Sequence, residues 1–431
     1  MKRVRNAECG MRIGRAAGCF PKAFGMDAGC WMLVVMLMSL PLWGQKVAVR
    51  GETVYTMAGA PLADGVVLIR DGKIEKVGKA AEVKIGNDYT VLSGKVVTPG
   101  LIDAHTVVGL AGYYNQPHDQ DQLDKSSPIQ PELRALDAYN PREKLVEWLR
   151  GLGVTTLHTG QAPGALASGQ SILVKTVGNT VEEVLLDSAA MVTLTLGSAV
   201  SRNYKSPGTS AKGVAMLRTE LLKAREYQKK MANKDISKRP ARDLKLEALA
   251  MVLSGKLPAL ITANRAVEIM TALRLANEFG FRLILDGAAE AYLVLEEIRA
   301  AGVPVIIHPT MARPRGDSRN LSLETAAKLH QAGIPFAFQS GYESYVPKTR
   351  VVLFEAAIAA ANGLAREDAL AALTINSAKI LGIDRRVGSL EKGKDADLVI
   401  FGGDPFEYTT HVCTVMVDGE VVVQGECREK R

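Results

Sequence analysis

The chain has 431 residues, 47% of them hydrophobic and 23% charged, with a formal net charge of +7. That apolar fraction excludes a disordered chain, the length supports a large buried core, and a single long apolar run excludes a polytopic membrane protein. Six basic and two acidic residues fall within the first 44, so four of the seven excess charges sit there, and the +3 left to the remainder gives no support to a nucleic-acid partner.

The run from Trp31 to Trp43 is shorter than a bilayer span, follows a basic segment and precedes Gly44. That layout reads as a signal peptide within residues 1–44, cleaved near Gly44, and predicts export to the periplasm or the extracellular space with no other membrane association. Translation starting at Met26 or Met32 would shorten the region before it. Removing the leader leaves Cys413 and Cys427, and an oxidising compartment permits a disulfide. A two-residue hairpin at Asp418-Gly419 would face Cys413 with Gln424, which argues against that bridge.

Residues 45–98 alternate in the manner of β-strands, with Asp71-Gly72 as a hairpin turn, and residues 385–431 have the same texture around Asp418-Gly419. Two β-rich segments at opposite ends predict one small β-sandwich. Between them, residues 99–384 contain eight short apolar runs, at 100–106, 153–159, 171–176, 191–198, 257–264, 281–287, 303–309 and 334–341. Helical stretches at 142–150, 265–279, 289–300 and 321–332 separate several of them. The pattern predicts a closed (β/α)8 barrel, with a doubly wound open sheet as the alternative, and places function at the strands' C-terminal ends.

The first run ends in PGLIDAH (99–105), and GSLEKGKDADLVIFGGDP (388–405) returns the chain to β-structure. With NPREKLVEWLRGLGVTTLHTG, ALRLANEFG and ALTINSAKILGI, these motifs resemble the amidohydrolase superfamily, specifically its secreted imidazolonepropionase-like branch, over nearly everything after the leader. The resemblance implies a metal-bearing barrel that hydrolyses C–N bonds, with a His-x-His on strand one, histidines after strands five and six, and an aspartate after strand eight. Some members add a metal-bridging lysine. Here His105 matches the first histidine, but Val107 stands at the second, Thr262 and Asn264 at the strand-five positions, Gly287 at strand six and Gly341 at the aspartate. Valine and glycine offer no side-chain donor, and hydroxyl or amide groups bind transition ions weakly. The expectation is therefore a degenerate, metal-free member, catalytically weak or inactive, that serves as a ligand-binding or partner subunit.

The alternative is an active hydrolase of dipeptide or non-peptide C–N bonds whose zinc or similar ion is held by His105 with Lys175, His158 or His308, each at a strand end. Asp103 and Asp286 lie near the same ends. The dull reading, which we favour, is that strand-end histidines and lysines merely satisfy neighbouring backbone groups. The polar segment 113–140 is long enough for a lid or binding surface, and equally suits a solvated excursion or a subunit contact. Arg313, Arg315 and Arg319 follow strand seven, where guanidinium groups suit a small carboxylated metabolite. Association with itself or with an active relative is the other partner expectation. No P-loop, Gly-x-Ser-x-Gly, His-Glu-x-x-His or Cys-x-x-Cys competes.

Overall fold

The computed structural model describes residues 45–425 except 115, 309–313, 343–348 and 350. The leader, Arg313 and Cys427 lie outside the described residues, and no described helix is long and apolar enough to cross a membrane. The first four strands are β1 (Lys46–Val54), β2 (Leu62–Arg70), β3 (Lys73–Lys79) and β4 (Thr90–Pro99). The next eight, β5 (Leu101–Thr106), β6 (Val154–Thr159), β7 (Ala167–Lys175), β8 (Leu185–Thr195), β9 (Ala259–Ala263), β10 (Leu283–Gly287), β11 (Val305–Ile307) and β12 (Phe336–Phe338), form one sheet in sequence order. A bridge between Thr106 and Gly341, with Gly341 N–H donating to His105 O, brings the ends of that sheet together into a barrel. Strands β13 (Leu398–Phe401), β14 (Val412–Val417) and β15 (Glu420–Gln424) complete the chain.

The two chain ends build a single seven-stranded sheet in the order β15-β14-β13-β4-β1-β2-β3. The expected sandwich is thus one continuous sheet curled on itself. Its two Asp-Gly turns meet, so closely that a β-carbon on Gly72 would stand 2.8 Å from Asp418 O. Val49, Val67, Ile69, Val97, Ile400 and Met416 pack inside this curl, while Val399, Phe401, Val415 and Val417 join the main core around the barrel.

All eight predicted barrel strands are present, but β7 runs antiparallel to both β6 and β8. The links explain it. Residues 160–166 join β6 to β7 without a helix, and a parallel pair needs a crossover of roughly a dozen residues or more. The other barrel neighbours are parallel, and helices such as Lys144–Gly151, Ala266–Phe279 and Thr325–Gln331 fill their connections.

This reversal moves Lys175. At the end of β7 it pairs with Thr156 near the start of β6, at the barrel floor rather than at its mouth. Its ammonium, 5% exposed, lies 2.6 Å from Asp397, 3.0 Å from Asp418 and 3.1 Å from Asp395. Burial works against its charge, but the three carboxylates outweigh burial and hold its pKa above the ordinary value. Lys73 and Arg386 also reach Asp395, so three cations meet three acids where the barrel rests on the sheet.

A second correction concerns Cys413, which is disulfide-bonded to a partner outside the described residues. A bulge between Val415 and Met416 shifts the hairpin register by one, pairing Thr414, not Cys413, with Gln424. Gly425 N–H then donates to Cys413 O at 2.7 Å, which the unbroken count missed.

Replacing Lys175 by alanine leaves buried carboxylates uncompensated. The expected loss is about 3–5 kcal/mol of unfolding free energy, read from the shift in denaturant midpoint.

Candidate active site

Leu260, Ile284, Ile306 and Ala337 point into the barrel and pack as one apolar layer. Side chains alternate along a strand, so the residue two positions on from each faces inward one level higher. That level consists of Thr262, Asp286, His308 and Gln339, and all four are buried. It is the first polar layer beneath the mouth.

Asp286 is its hub. His105 Nδ1–H donates to Asp286 Oδ1 at 2.8 Å, Gln339 Nε2 donates to the same oxygen at 2.8 Å, and Thr262 Oγ1 donates to Oδ2 at 2.5 Å. Burial works against the charge on His105, but the Asp286 carboxylate, its hydrogen bond and Asp103 together raise the imidazole above its ordinary pKa. Burial likewise opposes the Asp286 charge, and His105 with the hydroxyl and amide donors overcomes it, lowering the carboxyl. The two side chains form a buried hydrogen-bonded pair, with His105 2% exposed and Asp286 1%.

His158 behaves differently. Its Nδ1–H donates to Ala104 O at 2.6 Å, and Nε2 sits 2.7 Å from Ser171 Oγ. Burial first, and then the neighbouring His105 charge, push its pKa down to about 3, so it is a neutral core histidine. Asp103 accepts from Ser340 N at 2.9 Å and from the Ser340 hydroxyl, yet burial still pushes it up to about 6. His308 stands in the polar layer, its backbone N–H bonded to Gly287 O at 2.8 Å.

His105 is thus brought beside Asp286, with His158 centred 5.6 Å from it, while Lys175 is at the opposite end of the barrel. A carboxylate behind an imidazole is also how a metal-ligating histidine is oriented, and His105 Nε2 has no hydrogen-bond partner. What else converges therefore decides whether a divalent ion fits. Among the described residues no three His, Cys, Asp or Glu side chains form a group that could hold one. Val107 packs in an apolar cluster with Ala111 and Ala162. Gly287 and Gly341 have φ of +77° and +67°, backbone conformations that side chains rarely adopt, and a β-carbon on Gly287 would stand 2.6 Å from Asn264 Oδ1. Among the described residues the donor set does not fit a resident ion.

Above the layer opens a cavity of about 970 Å³. Thr262 and Asn264 form part of its wall, together with Gln122 and Lys125 from segment 113–140, Arg202 after β8, and Arg315 after β11. Segment 113–140 is not a free excursion, because bridges tie Ile129 to Ala167 and Arg134 to Gln170 on β7. Arg319 is exposed and does not line this cavity. Sequence reasoning missed Gln122, Lys125 and Arg202. The length of the segment was a signal for the first two, and nothing marked Arg202.

Two outcomes follow. Gly287→His forces a side chain into the left-handed region, and the expected cost is about 1–3 kcal/mol of stability in denaturant unfolding, with no gain in retained zinc. In acid, unfolded His158 takes a proton below about 6.5 while the folded residue refuses one until about 3, so stability falls through that window. Asp103, raised to about 6, has the opposite sign and gains stability as pH falls from 6 towards 3.8. A His158→Gln variant should therefore show a shallower fall, or a rise, in thermal midpoint between pH 6.5 and 4 than the parent chain.

A profile of the amidohydrolase family matches residues 322–422. Amidohydrolase tasK of Hapsidospora irregularis is 25% identical over 396 residues, 82% of this chain, which spans 39% of that relative's length. Imidazolonepropionase of Alkaliphilus oremlandii is 23% identical over 410 residues, covering 84% of this chain and 91% of that protein. A crystal structure of an amidohydrolase from Thermotoga maritima is 32% identical and superposes with a TM-score of 0.83, covering 88% of this chain and all of the other. With PGLIDAH at the head of the barrel and this agreement along its whole length, the chain belongs to the amidohydrolase family.

Proposed function

We propose that this chain is an exported amidohydrolase-family protein that binds a small carboxylated molecule at the barrel mouth and does not run the family's metal-dependent hydrolysis, acting as a ligand-binding or partner subunit. The observation that carries the reading is the buried His105–Asp286 pair. A metal-activated water requires neutral imidazoles and carboxylates free to donate lone pairs. Here both Asp286 carboxylate oxygens are spent on His105, Gln339 and Thr262, so that carboxylate has no oxygen left over for an ion. The disulfide at Cys413 supports export, since such bonds persist in oxidising compartments.

Elemental analysis of purified, dialysed chain tests the reading. The expected content is well below one zinc-type ion per chain, and about one retained ion would overturn it.

One observation favours a second reading, an active hydrolase with a rearranged centre: His105 Nε2 is buried without a partner and so offers a polar atom to a ligand. That version excludes Lys175 and depends on His105. It predicts turnover of small amides, dipeptides or lactams that His105→Ala abolishes; turnover that survives the change would refute it.

A further inference from the structure

The mouth cavity carries an unusual charge arrangement. Lys125, Arg202 and Arg315 line it from three separate segments of the chain, and none of them is ion-paired with a carboxylate among the described residues. Some surface arginines are, as with Arg218–Glu278, Arg134–Asp137 and Arg366–Asp404. The acid among the cavity's described lining residues, Asp317, is already committed. Its Oδ2 accepts from both the N–H and the hydroxyl of Ser198 at 2.7 Å, and Oδ1 faces Arg265 Nε at 3.9 Å. Asp317 thereby straps the segment after β11 to the helix Ser198–Asn203, where Arg202 Nη1 donates to the same Ser198 hydroxyl, and a β-carbon on Gly316, next to Arg315, would stand 3.9 Å from that Nη1.

A second observation is independent of the charges. Gln122 lines the same cavity at only 7% exposure; its Nε2 donates to the Tyr342 hydroxyl at 3.3 Å, and its Oε1 has no partner. A buried amide left half-satisfied costs free energy unless something completes it. Two guanidinium forks and an ammonium call for more than one carboxylate, because each fork matches one carboxylate by paired hydrogen bonds. The half-paired amide calls for a further polar group on the ligand.

We propose that the cavity is a binding site for a small dicarboxylate with an amide in its body, held by Arg202, Arg315 and Lys125 through its carboxylates and by Gln122 through its amide. This deepens the reading above as a ligand-binding member and rests on it only for the ligand's surviving unhydrolysed. The probes are N-acetylglutamate, N-acetylglutamine, which lacks the second carboxylate, and glutarate, which lacks the amide, each titrated calorimetrically into the full chain.

N-acetylglutamate should bind about tenfold or more tightly than either comparison compound, with affinity falling as salt rises. The double variant Arg202→Ala/Arg315→Ala, both residues being exposed, should keep its unliganded thermal midpoint and lose about tenfold or more in affinity. Gln122→Leu should erase the preference over glutarate alone. Equal binding of N-acetylglutamine, equal binding of inorganic sulfate, no binding of any probe, or unchanged affinity in the double variant would each overturn the proposal. Retained zinc with N-acetylglutamate binding intact would sink the metal-free reading and leave this one standing. Low zinc with no binding would do the reverse.

Discussion

A charge buried inside a barrel must find its counter-charge there, and the two ends of this barrel meet that requirement with different partners. At the floor, Lys175 is surrounded by Asp395, Asp397 and Asp418, the first two from the segment that enters β13 and the third from the β14–β15 turn. Three parts of the chain far apart in sequence are thereby fastened at one point, and the sheet built from both ends is fixed against the barrel. At the mouth, His105 from β5 meets Asp286 from β10 across the barrel axis. Neither pair is strongly stabilising in net terms, because desolvation offsets most of the attraction. Each is costly to break, and each specifies which strands meet.

The mouth pair also bears on chemistry. In a barrel of this family the C-terminal layer is where catalytic groups belong. Here Thr262 and Gln339 in that layer present groups that satisfy the Asp286 carboxylate but bind a transition ion poorly. Gly287 and Gly341 have positive φ, a backbone conformation that side chains rarely adopt. A fold inherited intact can therefore carry a site with different chemistry, and family membership leaves function to be argued from the site.

Above that layer the loops define the cavity. Segment 113–140 is fastened to β7 by backbone bridges, and Asp317 fastens the segment after β11 to the helix after β8. The cavity wall is thus set by hydrogen bonds among loops, while the apolar layer below it is set by strand alternation. The two levels are independent, so binding at the rim does not require chemistry at the floor.

Sequence alone determined the features that depend on local pattern. The eight barrel strands follow from short apolar runs, the hairpins from Asp71-Gly72 and Asp418-Gly419, and the missing donors from what stands at 107, 262, 264, 287 and 341. The direction of β7 was legible too, in the helix-free stretch before it, but counting strands without weighing their links put Lys175 at the wrong end. A one-residue bulge misplaced Cys413 for a similar reason, because bulges leave little local trace and shift every later pairing. Only tertiary structure decided that Asp286 is the hydrogen-bond partner of His105, 181 residues away, and that Arg202 and Arg315 line one cavity with Gln122. Such contacts are made between strand ends and loops whose approach is fixed by barrel closure, and no periodicity in the chain encodes which of them will face one another.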